Sequence, residues 1–393
     1  MSRISRTVWV LSLVSLFTDI SSEMLYPIMP IYLKSIGFSI LLIGILEGCA
    51  EATAGLSKGY FGKLSDIKNK RLPFVQLGYL LSAVSKPMIA LFTNAWWVFS
   101  ARTLDRLGKG IRTGARDALL SDEATPETKG TVFGFHRAMD TVGAAIGPIV
   151  ALTFLYFFPG KYRILFFIAF LPGLIGVFTT LLIKEKKSQP VPSKTKNTFF
   201  SFLKYLPQSH KEYKILLIGL LAFTLFNSSD VFLLLMLKHQ GMSDIGLIGV
   251  YIFYNLIYAL FSYPVGIIAD KIGFKRIFVI GLIIFSGVYL GMAFNTATFG
   301  FYALFFFYGI YAACTEGVSK AWISNISDRK DTATAIGTYE AFKSIATLIA
   351  SSVAGLIWQF RGASTTFIVT AIAVICVSLY FIIISGRKVE IPK

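Results

Sequence analysis

Charge is scarce in this sequence, and acid scarcer still. Asp and Glu number 21 of 393 residues against 38 Lys and Arg, and charged residues make up 15% of the chain while apolar ones make up 55%. A soluble domain carries about 25% charged residues, so the composition excludes an ordinary soluble protein and leaves an integral membrane one. Cysteine is nearly absent: Cys49, Cys314 and Cys376 sit singly inside apolar runs, which excludes a disulfide framework and a zinc site. With three histidines there is no nucleophile–base constellation, no metal-ligand spacing and no phosphate-cradling loop. An enzyme or sensor is therefore disfavoured, and no cofactor is expected. The formal charge of +17 lies in short segments between apolar runs, without interleaved aromatics, so nucleic acid is not expected as a partner.

What the chain has in abundance is apolar segments of about 20 residues, the length that crosses a bilayer. The first runs from 8 to 33 and holds Asp19 and Glu23 at its middle, which makes it a span and not a leader peptide. Others are expected at 40–62, 73–93, 95–118, 131–157 and 164–183, and again at 215–237, 245–268, 277–297, 300–324, 333–358 and 364–385. Between the two sets, residues 184–214 hold eight lysines with prolines and serines and read as a linker with one amphipathic surface piece. The expected domains are thus 1–183, the linker 184–214, and 215–393. Alternate loops carry the basic residues: Arg3 and Arg6, then Lys63 to Arg71, the linker, Lys271 to Arg276, and Arg387 with Lys388. By the positive-inside rule the termini and linker are expected in the cytoplasm.

One span breaks the apolar rule. Residues 96–120 carry Arg102, Asp105, Arg106, Lys109, Arg112, Arg116 and Asp117. At about 100° per residue most of these fall within roughly a third of the helix circumference. An ionisable group at the bilayer centre costs at least about 2.5 kcal/mol, so the stripe must face a polar, wet interior. Acids able to answer it stand on other spans: Asp19 and Glu23 one turn apart, Glu47 and Glu51 one turn apart, and Asp140 beside His136 and Arg137. Each of them reads equally as a structural ion pair or as a proton or ligand site.

The two halves repeat each other. Gly62-Lys-Leu-Ser-Asp66 to Lys70-Arg71 corresponds to Gly266-Ile-Ile-Ala-Asp270 to Lys275-Arg276 at a displacement of about 204 positions. Ser21-Ser22-Glu23 corresponds likewise to Ser228-Ser229-Asp230, and Gly134 to Gly337. Six plus six spans in a parallel repeat is a build that places ligands near the bilayer midplane.

On these residues the chain resembles the major facilitator superfamily over essentially its whole length, within a poorly characterised prokaryotic branch. The resemblance implies an all-α membrane fold of twelve transmembrane helices in two pseudo-symmetric six-helix bundles, in a prokaryotic inner membrane. The signature loop departs from the family pattern at Ile67 and Asn69 in its first copy and is closer to pattern in its second. The resemblance gives Gly62, Asp66, Gly266, Asp270 and Arg276 a role in conformational gating, the two acids by pairing with a charge or meeting a helix N-terminus. Ala101-Arg102-Thr103-Leu104 resembles the start of an exporter motif, and Gly143 with Gly147-Pro148 an antiporter motif, both incomplete. They favour export only slightly over uptake.

The expected function is secondary active transport of a small organic solute by alternating access, coupled to protons. Asp19, Glu23, Glu47, Glu51 and Asp140 are the proton-coupling candidates. Arg102, Arg106, Lys109 and Arg137 supply a cationic wall; Asn227, Asp230, Tyr254, Asn255, Tyr258, Tyr311, Lys320, Tyr339 and Lys343 supply an aromatic, mixed-polarity one. Such a site suits an anionic or zwitterionic molecule with an apolar part. Glu316 with Lys320, and Glu340 with Lys343, have the spacing to close on themselves along one helix. The expected partners are the solute, protons and the bilayer, with the chain acting as a monomer. An uncoupled facilitator or anion exchanger, and a multidrug exporter for lipophilic compounds, remain as alternatives.

Overall fold

In the computed structural model, which describes residues 4–185 and 198–384, the chain is all-α, with no strand among those residues. The first half contains α1 (Arg6–Leu25), α2 (Met29–Ser35), α3 (Ile40–Lys68), α4 (Leu72–Leu91), α5 (Ala95–Asp122), α6 (Lys129–Phe157) and α7 (Tyr162–Thr180). The second contains α8 (Tyr205–Gln208), α9 (Lys211–Thr224), α10 (Val231–His239), α11 (Asp244–Ile272), α12 (Phe274–Phe294), α13 (Thr298–Ile326), α14 (Thr332–Arg361) and α15 (Ala363–Ile384). Several starts are fixed by a side chain that accepts an orphan N–H of the first turn: Ser5 for α1, Ser39 for α3, Asn94 for α5 and Ser243 for α11.

Two expected spans are not single helices, a correction to the sequence reading. The first divides into α1 and α2, because Pro27 has no N–H to continue the ladder. The seventh divides into α9 and α10 without a proline. There Asn227-Ser228-Ser229-Asp230 offers the backbone short polar side chains as an alternative to the helix: Val231 N–H donates to Ser229 Oγ at 3.4 Å, and Ser229 N–H to Ser351 Oγ at 3.1 Å. The twelve expected spans are then α1 with α2, α3 to α7, α9 with α10, and α11 to α15. Nine helices among the described residues are long and apolar enough to span by themselves. α3 and the striped α5 are not among them, and α9 and α10 are each too short.

The helices form two compact units. The first takes in the described residues up to Thr125, His136–Pro207 and Asp328–Ala341; the second takes in Pro126–Phe135, Gln208–Ser327 and the chain from Phe342. Each unit thus includes the start of one long helix, α14 or α6, whose remainder belongs to the other. In the first unit α4 packs on α5 and α7, α3 on α5, and α1 on α7. In the second, α13 packs on α11 and α12, and α12 on α15. Large apolar side chains stand exposed on the outer helices, Phe178 at 63% and Ile383 at 71%, as lipid contact requires.

Residues 186–197 of the linker, Arg3, Arg387 and Lys388 lie outside the described residues. The rest of the linker is ordered by α3. A short 3₁₀ segment, Phe199–Lys204, leads into α8 and buries Phe202 against Gly59, while Phe199 stacks on Tyr60 and Lys63 Nζ donates to the Ser201 carbonyl at 2.6 Å.

Candidate functional site

The stripe on α5 divides between two environments. Arg102, Asp105, Arg112, Arg116 and Asp117 are buried in helix contacts, whereas Lys109 is exposed. Arg102 makes a bidentate pair with Glu47 of α3, both bonds 2.8 Å, and a third bond of 3.2 Å to Asp105. Asp105 also takes Lys86 of α4 at 2.7 Å, which explains why a lysine is tolerated in that otherwise uncharged span. Arg112 donates to Ser82 Oγ at 2.6 Å and lies over the Tyr79 ring at 4.5 Å. Arg102, Glu47, Asp105 and Lys86 satisfy each other, as buried charges must, whereas the Arg112 Nε is buried without a partner among the described residues. A third of a helix circumference is wide enough to face both a neighbour and open space, and the stripe is divided in that way: its ends are buried in helix contacts and its middle is more open.

That middle is Arg106 and Lys109. Arg106 pairs with Glu51 at 3.0 Å through one nitrogen, while its Nε is buried without a partner. Lys109 lies in the electrostatic field of Arg106, Glu51, Lys58 and Asp19. Glu23 lies close enough to act electrostatically on both Arg106 and Asp19. Of the five acids singled out in the sequence, Asp19, Glu23 and Glu51 therefore meet around these two cations, and Glu47 is taken up by Arg102.

Asp140 joins them from α6. Gly143 and Gly147 let α6 lie directly on α1: a side chain at Gly147 would sit 2.7 Å from the Met24 nitrogen and 2.8 Å from the Ile20 carbonyl. A side chain at Gly143 would lie 3.0 Å from Asp19 Cβ, and Asp140, one turn before Gly143 on α6, acts electrostatically on Asp19. Arg137 pairs with Asp140 at 2.8 Å, Ser15 donates to it, and Arg116 reaches Ser15 at 3.4 Å while pairing with Asp117 at 2.8 Å. His136 faces Ser12 at 3.4 Å, and its Nε2 is buried without a partner.

A second cluster lies in the second unit. Tyr308 donates to Asp230 at 2.6 Å, and Asn227 donates to Tyr311 at 3.0 Å. The rings of Tyr254 and Tyr258 stack at 6.0 Å, and Tyr308 stands 5.1 Å from both Tyr254 and Tyr311. Asn255 turns back to the Tyr251 carbonyl of its own helix. Lys320 is buried on α13, and Tyr339 is buried in the segment of α14 that belongs to the first unit. Three of the four residues expected to close along one helix bind across helices: Lys343 of α14 bonds both carboxylate oxygens of Glu316 on α13, at 2.9 and 2.8 Å, and Glu340 takes Lys58 of α3 at 2.9 Å. Lys58 escaped the sequence reading although it lies two turns past Glu51 on the same face of α3; that periodicity was the available signal.

The signature loops act on helix starts. In the first unit Asp66 accepts the Thr334 N–H at 2.7 Å and its hydroxyl at 2.8 Å, in the first turn of α14. In the second unit Asp270 accepts Gly130 N–H at 2.6 Å, Thr131 N–H at 2.7 Å and the Thr131 hydroxyl at 2.6 Å, in the first turn of α6. Gly62 and Gly266 allow those turns to approach: a side chain at either would strike a backbone carbonyl, of Ala333 or of Gly130. Asn69, where the pattern departs from glycine, adopts the left-handed conformation at φ 49°, and its counterpart Gly273 has φ 98°. Asn is the ordinary residue best able to do so. The copies differ in their arginines. Arg71 is buried and bonds Asp66, Asp122 and the Arg329 carbonyl, with Arg329 itself on Asp122 at 2.9 Å. Arg276 is exposed and joins no ion pair among the described residues.

Broken spans, duplicated loops closing on helix starts, and opposed charges inside the helical layer define a membrane transporter built from a repeat. The chain belongs to the Major Facilitator Superfamily, whose profile matches residues 11–256 and again 215–392. An uncharacterised MFS-type transporter of Methanocaldococcus jannaschii is 36% identical over 95% of this chain and 93% of its own. In fold, the chain is similar to the human organic anion transporter MFSD10 (TETRAN), with a TM-score of 0.82 at 14% identity over 96% of this chain and 99% of that one. It is also similar to the Escherichia coli fucose:proton symporter FucP, with a TM-score of 0.78 at 12% identity over 95% and 97%.

Proposed function

We propose that this transporter carries a small anionic or zwitterionic organic solute by alternating access coupled to protons, and that Asp19 and Asp140 are the proton-carrying pair. The observation that carries the reading is the close approach of α6 to α1 at Gly143, which sets Asp140, paired with Arg137 at 2.8 Å, one turn from the point where α6 lies against Asp19. Two carboxylates this near each other resist being ionised together. One proton bridges them. When α1 and α6 shift relative to each other the bridge opens, the proton leaves, and the basic neighbours hold the charges that remain. Exposed Lys109, one turn from Arg106, offers an anionic group of the solute a docking point.

Asp66 and Asp270 are the gates of this cycle, each holding a helix start that must be released for access to alternate. The protein is proposed to act as a monomer in a prokaryotic inner membrane, with both termini and the linker in the cytoplasm and export slightly favoured. A fluorescent protein fused to the carboxyl terminus should fluoresce; a periplasmic reporter enzyme fused there should be silent.

The coupling is tested in proteoliposomes. A thermal-shift screen of organic acids, siderophore-like carboxylates, nucleotides and cationic drugs identifies a solute, and an entrapped pH dye then follows protons during its transport. Wild-type protein should move both; Asp19→Asn and Asp140→Asn should keep solute counterflow and stop the protons. Solute movement indifferent to a pH gradient, and unchanged in both variants, would leave the facilitator or exchanger reading. Stabilisation by lipophilic cations alone would leave the multidrug exporter.

A further inference from the structure

The break in the seventh span holds acceptors that no donor satisfies among the described residues. Asp230 occupies the N-cap position of α10, where a carboxylate ordinarily accepts an N–H of the first turn, yet its side chain makes no capping bond. Its Oδ1 accepts from Tyr308, and its Oδ2 has no partner among the described residues. The charged groups that act on it are Glu316 and Lys343, and those two are bound to each other. One turn earlier Asn227 spends its amide nitrogen on Tyr311, leaving Oδ1 buried and unpartnered. Tyr308 spends its hydroxyl proton on Asp230, and Asn227 one amide proton on Tyr311. What the break leaves is a carboxylate oxygen and an amide oxygen, beside the ring faces of Tyr254, Tyr308 and Tyr311.

An arrangement with acceptors to spare and electron-rich rings beside a carboxylate is matched by a ligand that brings hydrogen-bond donors and positive charge. A proton alone would satisfy Asp230 and leave Asn227 and the rings unused. We infer that the Asp230–Asn227 break is a binding site for a protonated amine, so that the transported solute carries an ammonium group. The inference rests on the transporter reading and narrows its solute from anionic or zwitterionic to amine-bearing, with the amine at Asp230.

Calorimetry on the purified full chain at fixed pH tests it with three probes: phenethylammonium, 3-phenylpropionate and phenylalanine. Phenethylammonium and phenylalanine should bind. Asp230→Asn should weaken both by about tenfold or more, as loss of a charged hydrogen-bond partner does. Asn227→Asp, which adds a second carboxylate, should tighten phenethylammonium binding, and keeps the test open if Asp230→Asn proves unstable. Binding of 3-phenylpropionate alone, equal affinity in all three proteins, or the same heat from sodium chloride would overturn the inference. The two failures separate: proton movement in liposomes reads Asp19 and Asp140, whereas ammonium binding at fixed pH reads Asp230.

Discussion

At the scale of single residues, the charges in the helical layer are of two kinds. Lys86, Arg102 and Asp105 form a closed set in which every charge has a partner at 2.7 to 3.2 Å. Removing one member of such a set leaves another buried and uncompensated, at a cost of about 3 kcal/mol or more. Lys86→Met should therefore lower the melting temperature of the detergent-solubilised protein, and Lys86→Met combined with Asp105→Leu should recover part of the loss. Arg106, Lys109, Asp19 and Asp230 are different in having bonding capacity left over or access to solvent. Their substitution is expected to change ligand or proton binding more than melting. The sequence showed that these charges exist and that acids match them; it could not show which acid goes with which base. Glu340 illustrates why: it takes Lys58, 282 positions away, a partner that spacing along α14 does not reveal.

At the scale of elements, the repeat was legible and the breaks were not. Hydropathy over residues 8–33 and 215–237 is continuous, because Pro27 and the Asn227–Asp230 stretch interrupt the hydrogen-bond ladder without interrupting apolar character. The contacts of α6 with α11 and of α14 with α3 depend on backbone approaching backbone at Gly266 and Gly62. Small residues at such crossings are what permit close packing in a membrane. Gly266→Ala should push the start of α6 off α11 by a few tenths of an ångström or more, since overpacking typically costs about 1–3 kcal/mol. A cysteine placed at Phe133, which is 2% exposed, should be labelled slowly by a maleimide in a background without the native cysteines. Adding Gly266→Ala should speed the labelling; an unchanged rate would mean the crossing does not close that end.

At the scale of the whole molecule, each compact unit is completed by a segment drawn from the other half of the chain. Asp66, Lys58 and Asp122 all close on residues of the Asp328–Ala341 segment or its immediate start. A fragment of residues 1–183 lacks that segment and is expected to melt lower alone than when co-expressed and co-purified with residues 198–393. Equal melting would show that the segment adds nothing to the first unit. The sequence by itself determined that the chain lies in a membrane, that it repeats, and that one span turns a row of charge inward. Those facts follow from local composition and period, which act through the solvent each residue must meet. Only the tertiary structure decided how the charged row divides, that α6 sets Asp140 near Asp19, and that Asp230 keeps an oxygen unbonded. Such pairings are fixed by how closely helices distant in sequence approach, and side-chain chemistry read along the chain does not contain that distance.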